Sequence, residues 1–207
     1  MNSLYHNAHF LLSVPNRKSA PADEGIEVAF AGRSNSGKSS AINTITRQTG
    51  LARTSKTPGR TQHIVFFELD ASRRLVDLPG YGYASAPKAL QREWAKALED
   101  YMENRACLRG IVMMMDIRRP FTDLDMGMLE WCEFIRRPVH ILLTKADKLK
   151  PNPGRQTFRD VCDTVDEFEM DVSVQLFSSL KKIGVKEAHR ALDSWFCGET
   201  EGVAAEK

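Results

Sequence analysis

The chain of 207 residues contains no apolar run near the roughly 18 residues that a membrane-spanning helix requires. Its N-terminus has no charged segment ahead of an apolar core, and Phe10-Leu11-Leu12 is too short for the core of a secretory signal. The expected location is therefore the cytoplasm. Cysteine is scarce: Cys107, Cys132, Cys162 and Cys197 form no C-x-x-C pair, and the five histidines form no H-x-x-x-H pair. That spacing excludes the common zinc modules, and the four thiols suit a reducing compartment. Repeats and low-complexity blocks are missing as well. The most informative absence is of acidic side chains. None occurs between Glu27 and Glu68, a stretch that carries Arg33, Lys38, Arg47, Arg53, Lys56 and Arg60. In a chain of formal net charge +2, such a one-signed segment implies a polyanionic ligand or partner on that side.

What is present organises itself as one α/β domain. The apolar share of 42% is too high for disorder, and a chain this long buries about 70% of its unfolded surface without a staple. Residues 1–24 read as a polar extension, 25–197 as the domain, and 198–207 as an acidic disordered tail. Six strand patterns are legible: Ile26–Ala31, Ile64–Leu69, Arg74–Asp77, Gly110–Asp116, Val139–Leu143 and Ser173–Phe177. The second and third are separated by so few residues that they predict an antiparallel hairpin. Helical spacing predicts helices from about Ser39 to Thr46, from Ser85 or Pro87 through Tyr101, from Asp123 to Phe134, from Gly154 to Phe168 and from Val185 to Phe196. Strands alternating with helices imply parallel neighbours with right-handed crossovers. The expected fold is a three-layer α/β P-loop domain with a six-stranded, mostly parallel sheet, one antiparallel edge strand and helices on both faces.

Three segments carry chemistry. Gly32-Arg33-Ser34-Asn35-Ser36-Gly37-Lys38-Ser39 fits G-x-x-x-x-G-K-[ST] between a predicted strand and a predicted helix. Its glycines let backbone N–H groups wrap a phosphate, with a helix N-terminus behind them. Lys38 is placed to reach the β- and γ-phosphates, and the Ser39 hydroxyl to ligate Mg²⁺. Asp77-Leu78-Pro79-Gly80 then follows a strand as D-x-x-G. Asp77 is expected in the outer shell of the Mg²⁺, and the Gly80 N–H on the γ-phosphate, so that the following loop reports the nucleotide state. Finally, Thr144-Lys145-Ala146-Asp147 ends a buried strand as T-K-x-D. The Asp147 carboxylate can accept from both N1–H and the N2 amine of guanine, a donor pair that adenine lacks. The Lys145 stem can cover the base, and a backbone N–H of Phe177-Ser178-Ser179 can reach guanine O6.

In this order, G-R-S-N-S-G-K-S, G-R-T-Q, D-L-P-G-Y-G, T-K-A-D and F-S-S, the chain resembles translation-factor-type GTPases, and among them the EngB (YihA/YsxC) family of bacterial GTPases. Thr54-Ser55-Lys56-Thr57-Pro58-Gly59-Arg60-Thr61-Gln62 is the most telling stretch, and the similarity spans about residues 8 to 196. The resemblance implies a G domain that assists assembly of the large (50S) ribosomal subunit, through rRNA and ribosomal proteins, and is needed for normal growth or division. It implies neither a DNA nor a membrane partner, and a monomer is expected. Thr54, Thr57 and Thr61 all qualify as the second Mg²⁺ ligand, and the resemblance selects Thr61. It also adds Gly59, Arg60, Gln62 and His63 to the nucleotide site. Lys38, Thr61 and Gly80 are the expected catalytic groups.

Two departures shape the expected activity. Tyr81 stands where a Ras-like protein has a water-orienting glutamine, so intrinsic hydrolysis is expected to be slow and accelerated by a partner or a cation. Asn35 matches the asparagine with which K⁺-dependent relatives hold potassium. Thr144 replaces the Asn of N-K-x-D, which predicts somewhat weaker nucleotide binding. Arg33, Arg53, Lys56 and Arg60, with Lys181, Lys182, Lys186 and Arg190, are expected to face RNA phosphates. Two alternatives remain at this level: a P-loop ATPase or kinase, and an RNA-binding module that needs nucleotide occupancy but not turnover.

Overall fold

The run Gly110–Met115 has no polar face to turn to water, so it demands cover on both sides. It forms the body of strand β5 (Leu108–Asp116) in a computed structural model that describes residues 3–53, 63–81 and 88–197, the side chains of 88–91 and 94 excepted. Beside β5 lies β2 (Ile26–Gly32), followed outward by β4 (Arg73–Asp77), β3 (Ile64–Glu68) and β1 (His9–Val14). On the other side come β6 (Val139–Thr144) and β7 (Val172–Leu176). The order is β1-β3-β4-β2-β5-β6-β7. Pairing is parallel from β4 through β7 and antiparallel on both sides of β3. Only β3 therefore runs against the rest.

Period-two alternation divides the core into two layers. Ala29, Ala31, Met113 and Met115 point to one face, where they meet Leu98, Tyr101, Met128, Leu129 and Val161. These come from α2 (Lys88–Asn104), α3 (Asp123–Phe134) and α4 (Pro151–Val165). Val28, Phe30, Val112 and Met114 point to the other, against Ile42, Ile45, Leu192 and Phe196 of α1 (Lys38–Thr46) and α5 (Val185–Cys197). Among the described residues no helix is long and apolar enough to cross a membrane.

Among the described residues the sheet has seven strands, one more than the pattern predicts, and the difference lies in the segment read as an extension. His9–Val14 pairs with β3 from His9 opposite Glu68 to Val14 opposite Ile64. The edge is thus β1, and the single reversed strand sits one place inside it. β1 escapes a pattern search because it is half-exposed without alternation. Residues before it are also anchored. Tyr5 is fully buried, its ring stacks on His189 at 4.4 Å, and its hydroxyl donates to Asp193 at 2.7 Å. The tail 198–207 and the predicted helix start at 82–87 lie outside the described residues.

At the far end of the sheet, the fully buried Glu27 accepts from Arg105, Arg74 and the Tyr101 hydroxyl. Asp23 accepts from the Ala106 and Cys107 N–H groups at 3.0 and 2.8 Å. Burial pushes the Asp23 carboxyl up, but those donors and Arg105 outweigh it and set its pKa at about 2. This end is therefore cross-linked by buried side chains, whereas the carboxyl ends of β2, β4, β5 and β6 gather the loops at the opposite end, where ligands of parallel sheets bind.

Candidate functional site

The phosphate loop leaves β2 at Gly32, where a Cβ would stand 2.9 Å from the Met114 Cβ and 2.6 Å from the Ser36 hydroxyl. Only glycine lets the chain pass there. The Ser36 N–H closes a turn on the Arg33 carbonyl at 3.0 Å, Asn35 has φ 65°, and Gly37 takes φ 99° before α1 begins at Lys38. The first N–H groups of α1 consequently face the loop's hollow, an anion site by construction. The hydroxyls of Ser34 and Ser36 are buried there without a hydrogen-bond partner among the described residues.

Lys38 forms an ion pair with Asp77, the last residue of β4. The residue that follows, Leu78, is held by its N–H on the Phe30 carbonyl at 3.0 Å. Leu78 and Pro79 are buried, and Gly80 packs on the phosphate loop, where a Cβ would lie 3.4 Å from the Ser34 hydroxyl. The donor set suits Mg²⁺. It offers one hydroxyl in Ser39 and one carboxylate in Asp77, and no cluster of three His, Cys, Asp or Glu occurs among the described residues. Mg²⁺ keeps several waters and takes few protein oxygens, so a sparse set fits it better than a cage would.

The base end is tied to the phosphate end through side chains. The Thr144 hydroxyl donates to the Ser36 carbonyl at 2.6 Å, and it also lies 3.1 Å from the Met115 carbonyl oxygen. Lys145, with φ 59°, extends its ammonium to the Asn35 carbonyl and to Asp116, both at 2.8 Å. The Ala146 N–H donates to the Phe177 carbonyl at 3.1 Å, which locks T-K-A-D to the F-S-S loop. Ser178 donates its hydroxyl to Asp147 and accepts from the Lys181 N–H. The Ser178 hydroxyl holds the Asp147 carboxyl below the usual range, so it stands ionised as a double acceptor. Ser179 is half-buried beside it.

The other residues expected from sequence are placed as follows. His63 is exposed at the start of β3 and lies 3.3 Å from the Ser13 hydroxyl. Arg53, Lys181 and Lys182 are exposed, and Lys182, Lys186 and Arg190 line one groove of about 1430 Å³ with Arg47 of the α1 end. Arg33 departs from the RNA-facing expectation. Its guanidinium turns inward to Asp125, which is fully buried, at 3.0 Å. Thr54, Lys56, Thr57, Gly59, Arg60, Thr61 and Gln62 lie outside the described residues.

Sequence reasoning missed two carboxylates at this end, Asp116 and Asp125. Asp116 ends β5 and binds Arg118 at 2.6 Å as well as Lys145. Arg118 first, then Lys145, holds it far below the usual carboxylate range. Asp116, Arg118 and Lys145 line a cleft of about 480 Å³ with Arg33, Ser34, Asn35, Ser36 and Arg119. The available signal was position: Asp116 follows an apolar strand, and Asp125 sits three residues into a helix after Thr122.

Comparison with known proteins agrees with this geometry. The model of a family described as "50S ribosome-binding GTPase" matches residues 27–145, more than half of the chain. The probable GTP-binding proteins EngB of Yersinia pestis (strain Pestoides F) and Yersinia pseudotuberculosis serotype O:1b (strain IP 31758) are each 52% identical over 206 residues, covering 100% of this chain and 95% of theirs. Among solved structures, a probable GTP-binding protein engB superposes with TM-score 0.66 at 20% identity, over 84% of this chain and 100% of that one. Era in complex with MgGDPNP and nucleotides 1506–1542 of 16S ribosomal RNA superposes with TM-score 0.64 at 18% identity, over 83% of this chain and 57% of that one.

Proposed function

Because this chain belongs to the EngB family of GTP-binding GTPases, we propose that it is a slow GTP-driven switch acting in assembly of the large ribosomal subunit. The observation that carries the switch is the arrangement around Ser34 and Lys38. Gly80 packs on the phosphate loop, and Asp77 holds the lysine that must turn to the phosphates. Binding GTP exchanges the Lys38–Asp77 pair for Lys38–phosphate contacts and brings the Gly80 N–H to the γ-phosphate. Ser39 and Thr61 would hold Mg²⁺ with Asp77 in its outer shell, where the ion would neutralise phosphate charge. Asp147 accepts the guanine edge, and the Lys145 stem covers the base. Asn35 would be the contact for K⁺.

Hydrolysis is slow in this reading because Tyr81 stands where a water-orienting glutamine would be. Tyr81, next to Gly80, is half-buried and directs its hydroxyl to Asp125 at 3.4 Å. Support for the ribosomal client comes from the description of the matching family and from the rRNA bound to Era. The RNA-facing surface is the groove of Lys182, Lys186 and Arg190, with the exposed Lys181 and Arg53 and, from the sequence alone, Lys56. The shape and charge of RNA, rather than its bases, are what such a surface reads.

Co-sedimentation with isolated ribosomal subunits tests this. The purified protein should bind the large subunit preferentially in the presence of a non-hydrolysable GTP analogue. Binding should weaken with GDP and with salt, and reversing the charge of Lys182 and Lys186 should reduce it. Equal binding with GDP and the analogue removes the switch, and binding to neither subunit removes the ribosome. Depletion in cells should slow growth or division and accumulate incomplete large subunits.

A further inference from the structure

Asp125 is fully buried, and burying a carboxylate is costly unless its charge and lone pairs are matched. Its two oxygens have separate duties. Oδ2 accepts from the Thr122 N–H at 3.2 Å and the Thr122 hydroxyl at 2.8 Å, which caps α3. Oδ1 accepts from the Tyr81 hydroxyl at 3.4 Å, and Arg33 Nε lies 3.0 Å from both oxygens. A helix cap accounts for the first oxygen only. The second faces two residues that flank the glycines of the nucleotide motifs: Arg33 follows Gly32, and Tyr81 follows Gly80.

The backbone completes the connection. Arg33 and Tyr81 form a parallel bridge in which the Ser34 N–H donates to the Tyr81 carbonyl at 3.2 Å. The outer end of Arg33 donates in addition to the Arg119 carbonyl at 3.3 Å. Gly80 is thus held by its neighbour Tyr81, through the carbonyl on the phosphate loop and through the hydroxyl on α3. Burial, reinforced by the Asp125 charge, keeps the Tyr81 phenol protonated and able to donate.

We infer that Asp125 is a positioning residue for the γ-phosphate contact, acting through Arg33 and Tyr81 to hold the Gly80 N–H against the phosphate loop. The inference rests on reading Gly80 as the γ-phosphate donor. It distinguishes the two nucleotides: GDP touches the phosphate loop and the base end but not Gly80, so loosening Gly80 weakens GTP binding alone. It also places the start of α3 and the adjoining exposed Arg118–Arg119 turn in contact with the switch.

The test compares affinities for GDP and a non-hydrolysable GTP analogue, together with GTP turnover, in Asp125→Asn, Arg33→Met, Tyr81→Phe and Gly80→Pro proteins. Asp125→Asn should weaken analogue binding about tenfold and slow turnover, with GDP affinity within about twofold of wild type, and Arg33→Met, within the phosphate loop itself, should weaken the analogue more than it weakens GDP. Tyr81→Phe removes one long hydrogen bond and should weaken the analogue about threefold, again with GDP unchanged. Adding Tyr81→Phe to Asp125→Asn should cost nothing further, since both act on one contact. Should Asp125→Asn fail to fold, Arg33→Met and Tyr81→Phe carry the test. Equal weakening of GDP and analogue would mark Asp125 as a helix cap alone and overturn the inference, as would unchanged analogue binding in Arg33→Met. Gly80→Pro, which removes the backbone N–H itself, separates the premise. If it leaves the preference for the analogue over GDP intact, the reading of Gly80 fails; if only Gly80→Pro alters that preference, the reading stands and Asp125 has no part in it.

Discussion

Thr144 shows what one atom decides at the residue scale. From sequence, replacing the Asn of N-K-x-D by Thr predicts fewer hydrogen bonds. In the fold the hydroxyl lies within reach of two carbonyls, Ser36 at 2.6 Å and Met115 at 3.1 Å. A hydroxyl has one proton and serves one of them at a time, whereas an amide donates twice. Thr144→Val should leave the Ser36 carbonyl without this donor and lower stability by about 1–3 kcal/mol. Urea unfolding measures the loss, and nucleotide titration should show a several-fold weaker affinity because the phosphate loop loses its tie to the base end. Lys38, Asp77 and Asp147 were legible because each belongs to a short motif. Asp125 was not, since its partner Arg33 lies 92 positions away.

At the scale of elements, β6 and β7 carry a buried polar chain toward the base loop. His140 Nε2 donates to the Gln175 amide oxygen at 2.9 Å, and Nδ1 lies 2.7 Å from the Ser173 hydroxyl. The Gln175 amide nitrogen donates to the Gly184 carbonyl at 2.7 Å, just before α5. Burial lowers the His140 pKa against a smaller opposing contribution from Gln175. The unfolded chain therefore takes up this proton first as pH falls. The stabilisation is complete above about 6.5, the free histidine value, and declines as pH drops toward the folded value. Urea midpoints should fall between pH 7 and 5 in the wild type and change less in His140→Asn, whatever that variant's overall stability. Helix limits were largely readable: α3 spans Asp123–Phe134 as the pattern predicts. α4 begins at Pro151, three residues ahead of expectation, because proline with its fixed φ and missing N–H fits the first helical turn.

At the scale of the whole molecule, the first residues belong to the sheet. β1 covers the edge of β3, and Tyr5 and Ala8 complete the layer that holds α5. Deleting residues 1–14 should expose that edge and the slot filled by Tyr5, at a cost on the order of 5 kcal/mol from lost burial alone. Thermal melting should drop and light scattering should report association through the bared strand. An unchanged melting temperature would return this segment to the status of an extension.

The G-x-x-x-x-G-K-S, D-x-x-G and T-K-x-D segments stood out from sequence alone, because each is a contiguous run at the end of a strand, and the turn of the first follows from local residues such as Gly37 at φ 99°. The alternation of strands and helices was likewise a local property and implied a parallel sheet. Only the tertiary structure decided that His9–Val14 closes the sheet, that β3 lies inside its edge, and that Arg33 turns from the surface to Asp125. Those outcomes depend on which distant strands pair and which helix end meets which loop. Such contacts arise from the packing of the whole core, and no single window of sequence contains both partners.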